Sequence, residues 1–355
     1  MTNQVSAGKT PKQRNYYLDL IRIIAILMVL YNHRYTYTGA PEWADFAFHH
    51  MILQGLATLC RCAVPLFFMV SGVVLLRKEE SFVTILKHRI VRILIVMVLC
   101  TLIKSEGDFS PLHLLDVFFS KLNWYLYAYF DYLLMLPFLR KIALHTSFEL
   151  ARPYVLLVAF FYLASGFVSW FGYYTGIMDF MLLFNSSFAS LCWAIIFTLT
   201  GYWIDQYYDR FRSWILPVFL PGALVSLVSS VILSILDFQR NAGANQELVR
   251  VHFIFLPTLL LFCALREAYQ KIPVFRSGKL NRFLLTVSGT TFGIFLLETH
   301  AEQGPRLTWY VSRVLELIHL THPYLVGLVS ILAFFCIAFV IVWILKKIPY
   351  LNKLL

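Results

Sequence analysis

The chain has 355 residues, of which 59% are hydrophobic, 17% are aromatic and only 14% are charged. An average soluble domain is about 25% charged, so this composition excludes an ordinary water-soluble protein. The formal net charge of +11 would suit a nucleic-acid partner, but no compact basic domain carries it.

Apolar segments of roughly 20 residues, the length of a helix that crosses the hydrocarbon core, recur along the chain. We place ten of them, at about 16–35, 50–76, 87–104, 122–140, 153–173, 188–204, 214–236, 251–270, 283–300 and 323–345. A closed barrel would instead alternate with period two, so the sequence predicts an all-α, polytopic transmembrane helical bundle. We expect residues 1–355 to form a single integral membrane domain, with residues 1–15 as a cytoplasmic tail and an uncleaved first span.

The distribution of the 30 lysines and arginines predicts the orientation. If the N-terminus lies inside, twenty-one of them fall on the cytoplasmic side and seven on the other, while Arg22 and Arg61 lie within spans. This asymmetry predicts both termini in the cytoplasm and a multi-pass protein of the cytoplasmic membrane. Most of the net positive charge is then explained by the orientation of the protein in the membrane and does not indicate a nucleic-acid partner. The six cysteines all lie in apolar segments without zinc-ligand spacing, so we expect no metal site.

The first span carries an arginine and a histidine on one face. Arg22 and His33 are eleven residues apart, which leaves them about 20° apart around a helix and about 16 Å apart along its axis. Asp19 precedes Arg22 by three residues and can neutralise it. A functional pair inside the membrane is one interpretation. The other is that Arg22 reaches the cytoplasmic headgroups while His33 lies at the outer interface.

Two further charges lie deep within predicted spans. Arg61 is about eleven residues from the outer end of the second span, too far to reach the headgroups. Asp131 is similarly deep in the fourth span, one heptad after Trp124, which makes it a candidate counter-ion for Arg61 or Arg22. A purely structural ion pair is the alternative.

Four blocks in the first half of the chain share a pattern with a known family. They are Leu18-Asp19-Leu-Ile-Arg22 with His33, then Arg61-Cys-Ala-Val-Pro65-Leu-Phe67-Phe68-Met-Val-Ser71-Gly72, then Lys87-His-Arg89-Ile-Val-Arg92, and Trp124-Tyr125-Leu126 with Pro137 and Arg140. Together they resemble acyltransferase family 3 of membrane proteins, in its stand-alone form without an appended soluble domain. The later block from Thr291 to His300 departs from the family pattern, because Glu298 occupies the position at which the family has a histidine.

The resemblance implies a membrane acyltransferase that moves an acetyl or similar short acyl group from cytoplasmic acetyl-CoA to a hydroxyl of an envelope polysaccharide or lipid-linked glycan. The catalytic candidates are His33, Arg22, Arg61 and Asp19. His33 is suited to take the hydroxyl proton or to form a transient acyl-imidazole, and Arg61 to stabilise charge on the thioester oxygen. Arg22 is expected either to hold an anionic part of the donor or to position the residues around His33.

Candidate binding residues follow from the same resemblance. CoA carries several phosphates, and the cytoplasmic start of the third helix clusters Lys87, His88, Arg89 and Arg92. Positive-inside charge without a ligand is the alternative there. Trp124, Tyr125, Asp131 and Glu298 are the candidates for substrate binding, with interfacial anchoring as the alternative for the two aromatic residues.

Two other functions suit a bundle with charges inside the membrane. One is a transporter of a small polar solute or glycan intermediate, because intramembrane charges also mark transport paths. The other is a non-catalytic scaffold, which leaves Arg22, His33 and Arg61 unexplained.

Overall fold

The computed structural model describes residues 14–35, 48–175, 189–241, 251–300, 313–314 and 323–354. Within these ranges the regular structure is helical, without a β-strand. The helices are α1 (Tyr16–Tyr35), α2 (Phe48–Cys60), α3 (Ala63–Leu75), α4 (Phe82–Ile85), α5 (Val91–Lys104), α6 (Pro111–Asp116), α7 (Trp124–His145), α8 (Phe148–Thr175), α9 (Ala189–Gln206), α10 (Tyr208–Arg212), α11 (Leu220–Asn241), α12 (Phe255–Lys271), α13 (Gly278–Ser288), α14 (Thr291–His300), α15 (Pro323–Leu345) and α16 (Leu351–Leu354). Short π-helical stretches, Leu86–Ile90, Val117–Lys121 and Ile215–Phe219, precede α5, α7 and α11.

Six helical segments in the described part of the chain are long and apolar enough to cross a membrane. They are Tyr16–His33, Gln54–Leu75, Phe148–Phe171, Ile215–Asp237, Gly278–Thr299 and Leu328–Leu345. Helices also lie at the other four predicted spans, 87–104, 122–140, 188–204 and 251–270, but they are shorter or carry more polar residues and are not among the six. The all-helical fold is confirmed. The total of ten spans and the cytoplasmic position of both termini stay predictions.

Helix α3 lies at the centre of the bundle, with nine of its 13 residues buried. It packs most extensively against α9 and also contacts α1 and α12. Glycines on both helices permit this approach. A Cβ atom on Gly72 would lie 2.0 Å from the backbone oxygen of Thr198, and one on Gly201 would lie 2.5 Å from Cα of Met69. Small residues let membrane helices pack backbone to backbone.

Substitution Gly72→Ala is expected to destabilise the folded protein by about 3 kcal/mol, the upper end of the usual cost of overpacking, because the obstructing atom is backbone. Thermal unfolding in detergent measures the change. Gly278→Ala is the matched control, since a Cβ atom there would meet nothing within 4 Å. Equal melting temperatures for the two variants would show that α3 and α9 can separate at little cost.

The predicted second span, 50–76, is divided at Arg61. The Arg61 amide donates to the carbonyls of both Ala57 and Thr58, and the Cys62 amide donates to Leu59, so a tight turn separates α2 from α3. Arg61 therefore lies at a helix junction and not within a continuous helix. Its side chain is half-buried there.

A buried carboxylate ties four helices together near the ends of α1, α3, α9 and α12. Asp205, with 3% of its side chain exposed, accepts a hydrogen bond of 2.5 Å from Arg77 and also contacts Tyr17 Oη and Arg266 Nη1. The Arg266 guanidinium lies over the Tyr208 ring, 3.6 Å from its centroid. We call these residues the Asp205 cluster. Arg77 and Arg266 are two of the twenty-one basic residues that predict the orientation. In the structure, both are paired with the buried Asp205 carboxylate.

Candidate active site

A cavity of about 310 Å³ lies between α1, α3, α5, α7 and the junction of α13 with α14. This volume is at the small end of the range for small-molecule sites. The residues of one end are polar or basic: Arg22, Ser71, His88, Arg89, Arg92, Ser288 and Gly289. Those of the other end are apolar or aromatic: Val29, Val64, Phe67, Tyr125 and Phe295. Six helices contribute to this gradient, which gives the cavity a mouth that suits an anion and an interior that suits an uncharged chain.

Arg22 lines the basic end and is held there by Asp19. Its Nη1 lies 3.1 Å from Asp19 Oδ1, which confirms the predicted pairing. Asp19 is buried and also accepts hydrogen bonds from Arg14, at 3.1 Å, and from the Ser288 hydroxyl, at 2.7 Å. Asp19 therefore links Arg22 to Ser288 at the α13–α14 junction, and both of these residues line the cavity.

Arg89 is held at the mouth by Glu80, which sequence reasoning missed. Its guanidinium donates to both Glu80 carboxylate oxygens, at 3.0 and 2.7 Å. Arg140, with 7% of its side chain exposed, donates to the same carboxylate at 2.8 Å and to the backbone oxygens of Glu80 and Leu75. These hydrogen bonds, first from Arg89 and then from Arg140, lower the pKa of Glu80 from its ordinary value of 4.5 to about 2.

The lowered pKa of Glu80 predicts a pH-dependent contribution to stability. The unfolded carboxyl binds a proton more readily than the folded one, so the contribution is complete above about pH 4.5 and is lost as the pH falls to about 2. We expect the stability difference between the wild type and Glu80→Gln to shrink across this window, measured as thermal unfolding in detergent. Glu79→Gln, at the exposed neighbouring position, is the control and should leave the pH profile unchanged. Parallel profiles for wild type and Glu80→Gln would contradict the assignment.

The apolar end is walled by aromatic rings. Tyr125 stacks on Tyr129 with 5.9 Å between ring centroids, and its centroid lies 5.1 Å from that of Phe295. Tyr125 is therefore one of the predicted substrate-binding residues that does line the cavity. Trp124 is 44% exposed, lies outside the lining and packs edge-on against Trp193.

His33 lies one helical turn beyond the apolar end. Val29, four residues before it on α1, and Phe295, three residues before Glu298 on α14, both line the cavity. His33 Nδ1 lies 3.9 Å from Glu298 Oε1, and the Glu298 side chain is only 6% exposed. The predicted face of α1 thus runs from Arg22 along the cavity to a histidine–carboxylate pair.

Besides Asp19, Trp124, His33 and Glu298, three further predicted residues lie outside the cavity lining. Asp131 makes no ion pair with Arg22 or Arg61, two residues that the structure describes, so the predicted counter-ion is wrong: Asp19, one turn away on the same helix, already holds Arg22. Arg61 lies at the α2–α3 junction. Lys87 is exposed, and of the predicted basic cluster only His88, Arg89 and Arg92 reach the lining.

The residues that sequence reasoning missed are mostly partners of arginines. Asp205 lies 128 positions from Arg77 and Ser288 lies 269 positions from Asp19, whereas Glu80 contacts Arg140 across 60 positions and Arg89 across only nine. One signal was available. A buried arginine needs a carboxylate partner. The chain has 19 acidic residues against 30 lysines and arginines, so each acidic residue near the end of a span is a candidate partner for an arginine there.

Comparison with models of protein families gives a match over nearly the whole chain. Residues 15–347 match the family described as the acyltransferase domain of acyltransferase family 3. No curated protein and no solved structure matches the chain. The matched region covers nearly the whole chain and contains every residue of the cavity, so the protein belongs to the membrane acyltransferases of acyltransferase family 3.

Proposed function

We propose that the protein transfers an acetyl or similar short acyl group from a cytoplasmic CoA thioester to a hydroxyl of an envelope polysaccharide or lipid-linked glycan, at the cytoplasmic membrane. The observation that carries this proposal is the cavity itself. It has a basic mouth beside Arg22, Arg89 and Arg92, an aromatic interior, and the His33–Glu298 pair just beyond its far end. A long donor with phosphates at one end and an acyl group at the other matches that order.

The basic end supports a phosphate-bearing donor. Guanidinium groups bind phosphate with a fixed fork of donors. Helix α14 begins beside the same end, at Thr291, where backbone amide dipoles also favour an anion. We assign Arg22, His88, Arg89 and Arg92 to donor binding. Lys87 stays a candidate for outer contacts with the donor, since it is exposed next to them.

The far end supports acyl transfer at His33. The acceptor hydroxyl loses its proton to the imidazole while its oxygen attacks the thioester carbonyl carbon. The carbon–sulfur bond then breaks, and the CoA thiolate leaves with the proton that His33 returns. An acyl-imidazole on His33 is the second route. We assign Glu298 to positioning His33 and favouring its cationic form, and keep Arg61 as the candidate that stabilises the charge on the thioester oxygen.

The test uses purified protein in detergent with radiolabelled acetyl-CoA, with and without envelope glycan. We expect label on the glycan. Label that also stays on the wild-type protein, and is absent from His33→Ala, indicates the acyl-imidazole route; transfer without protein label indicates general-base catalysis. Counterflow of a solute in proteoliposomes without any acyl donor, together with no transfer of label, would overturn the proposal in favour of a transporter.

A further inference from the structure

The cations around the cavity mouth fall into two groups according to what holds them. In the cavity lining, Arg22 has the Asp19 carboxylate and Arg89 has that of Glu80. Beyond the lining, Arg140 also has Glu80, and Arg77 and Arg266 have Asp205. Arg92 and Lys346 differ. Across the described residues, neither forms an ion pair with a carboxylate, and each donates only to a backbone carbonyl oxygen.

Lys346 reaches the mouth from the segment that follows α15. Its Nζ donates to the carbonyl oxygen of Gly289 at 2.7 Å, and Gly289 lines the cavity together with Arg92. Arg92 in turn donates through Nε and Nη2 to the carbonyl of Leu354, at 3.3 and 3.0 Å. Through Gly289, Lys346 lies at the same cavity wall as Arg92, and burial, followed by the Arg92 guanidinium, lowers the pKa of Lys346.

Two like charges at the same partly buried site repel each other, and an anion bound between them relieves this repulsion. A neutral carbonyl is a weaker acceptor than a phosphate oxygen, because charge-assisted hydrogen bonds are roughly twice as strong. Lys346 uses one of its three N–H donors on Gly289, so two others can serve a ligand.

We propose that Lys346 and Arg92 form a phosphate-binding subsite at the cavity mouth, to which the segment after α15 contributes Lys346. This inference rests on the proposed function, because the phosphate belongs to the thioester donor. Arg92 exchanges the Leu354 carbonyl for the phosphate when the donor binds, while Lys346 keeps its bond to Gly289.

A structural role for Lys346 makes a different prediction. Gly289 follows the last residue of α13, and a lysine that donates to the final carbonyls of a helix stabilises it. A structural lysine would affect stability, and acetyl-CoA and acetylpantetheine, which lacks the phosphates, would be affected alike. A lysine that binds the phosphate would instead change KM for acetyl-CoA and leave KM for acetylpantetheine unchanged.

The experiment compares wild type, Lys346→Gln, Lys346→Arg and Lys347→Gln in phosphatidylcholine nanodiscs. Lys347 is the matched control, since it is the next residue, carries the same charge and lies over the Trp343 ring instead. We expect Lys346→Gln to raise KM for acetyl-CoA about tenfold with kcat little changed, the loss of one charge-assisted hydrogen bond. Lys346→Arg should restore most of the affinity, Lys347→Gln should match the wild type, and KM for acetylpantetheine should be equal in all four proteins.

Binding of radiolabelled CoA, measured by equilibrium dialysis, separates failure of this subsite from failure of the proposed function. If the wild type binds CoA and Lys346→Gln binds it equally well, the subsite is wrong and the proposed function stands. If the wild type neither binds CoA nor transfers acetyl groups, the proposal of a CoA thioester as donor is wrong, and so is the phosphate subsite. A further arm adds phosphatidylglycerol to the nanodiscs. If Lys346→Gln binds CoA as the wild type does but no longer retains phosphatidylglycerol, the phosphate belongs to a lipid headgroup, which also overturns the proposal.

Discussion

Replacing His33 by alanine is expected to lower kcat for acyl transfer by about 10³-fold, the middle of the range for a general acid–base residue. The imidazole lies one turn beyond the apolar end of the cavity and 3.9 Å from the Glu298 carboxylate, where the thioester and the acceptor would meet. KM for the donor should change little, because the cations at the mouth stay in place. Initial rates of label transfer from acetyl-CoA measure both parameters.

His113→Ala provides the control for His33, since this histidine lies beside Asp108 in another part of the chain. It should retain full activity. Glu298→Gln should lower kcat about tenfold, as expected for a loss of about 1.4 kcal/mol of stabilisation of the cationic imidazole. Wild-type kcat in a His33→Ala protein of unchanged melting temperature would remove His33 from the chemistry.

The largest loss of stability is expected for Asp205→Ala. This substitution leaves the Arg77 and Arg266 guanidinium groups side by side in a half-buried site without their carboxylate. Removing one partner of a buried ion pair costs about 3–5 kcal/mol, because the remaining charge is not compensated. Thermal unfolding in detergent should therefore show a clearly lowered melting temperature, and Tyr17 loses a hydrogen-bond partner as well.

Asp209→Ala is the matched control, because Asp209 lies four residues further on and is exposed. It should leave the melting temperature within about 1 °C, the effect of a typical surface substitution. The double variant Asp205→Ala/Arg266→Met should recover part of the loss, since it removes one of the stranded charges. A double variant less stable than Asp205→Ala would contradict this account of the cluster.

Much of the fold follows from the sequence because helices in a bilayer are encoded locally. Blocks of apolar residues predicted every long helix, and the spacing of three residues predicted the Asp19–Arg22 pair. The close approach at Gly72 was also predictable, since a small residue in a membrane helix has few other uses. The break at Arg61 was not, because a tight turn within an apolar segment leaves little trace in composition.

Contacts between distant helices limited the prediction of the site. Helical periodicity predicts that Arg22 and His33 share one face of α1. It does not predict contacts between helices, such as that of Ser288 with Asp19 across 269 positions or that of Arg77 with Asp205 across 128. Spacing cannot reveal such pairs. Asp131 shows the opposite error: its depth in a span suggested an ion pair, yet both arginines in question are placed elsewhere.

The same long separations have a consequence for biosynthesis. Helices enter the membrane in order of translation, and the cavity is lined by residues near 22, near 90 and near 290, with Lys346 bound to Gly289 at its wall. Arg22 meets Asp19 as soon as α1 forms, whereas Ser288 and Lys346 join only after the later helices have been inserted. A nascent chain that carries His33 therefore lacks part of the cavity wall until the residues from Ser288 to Phe295 have been synthesised.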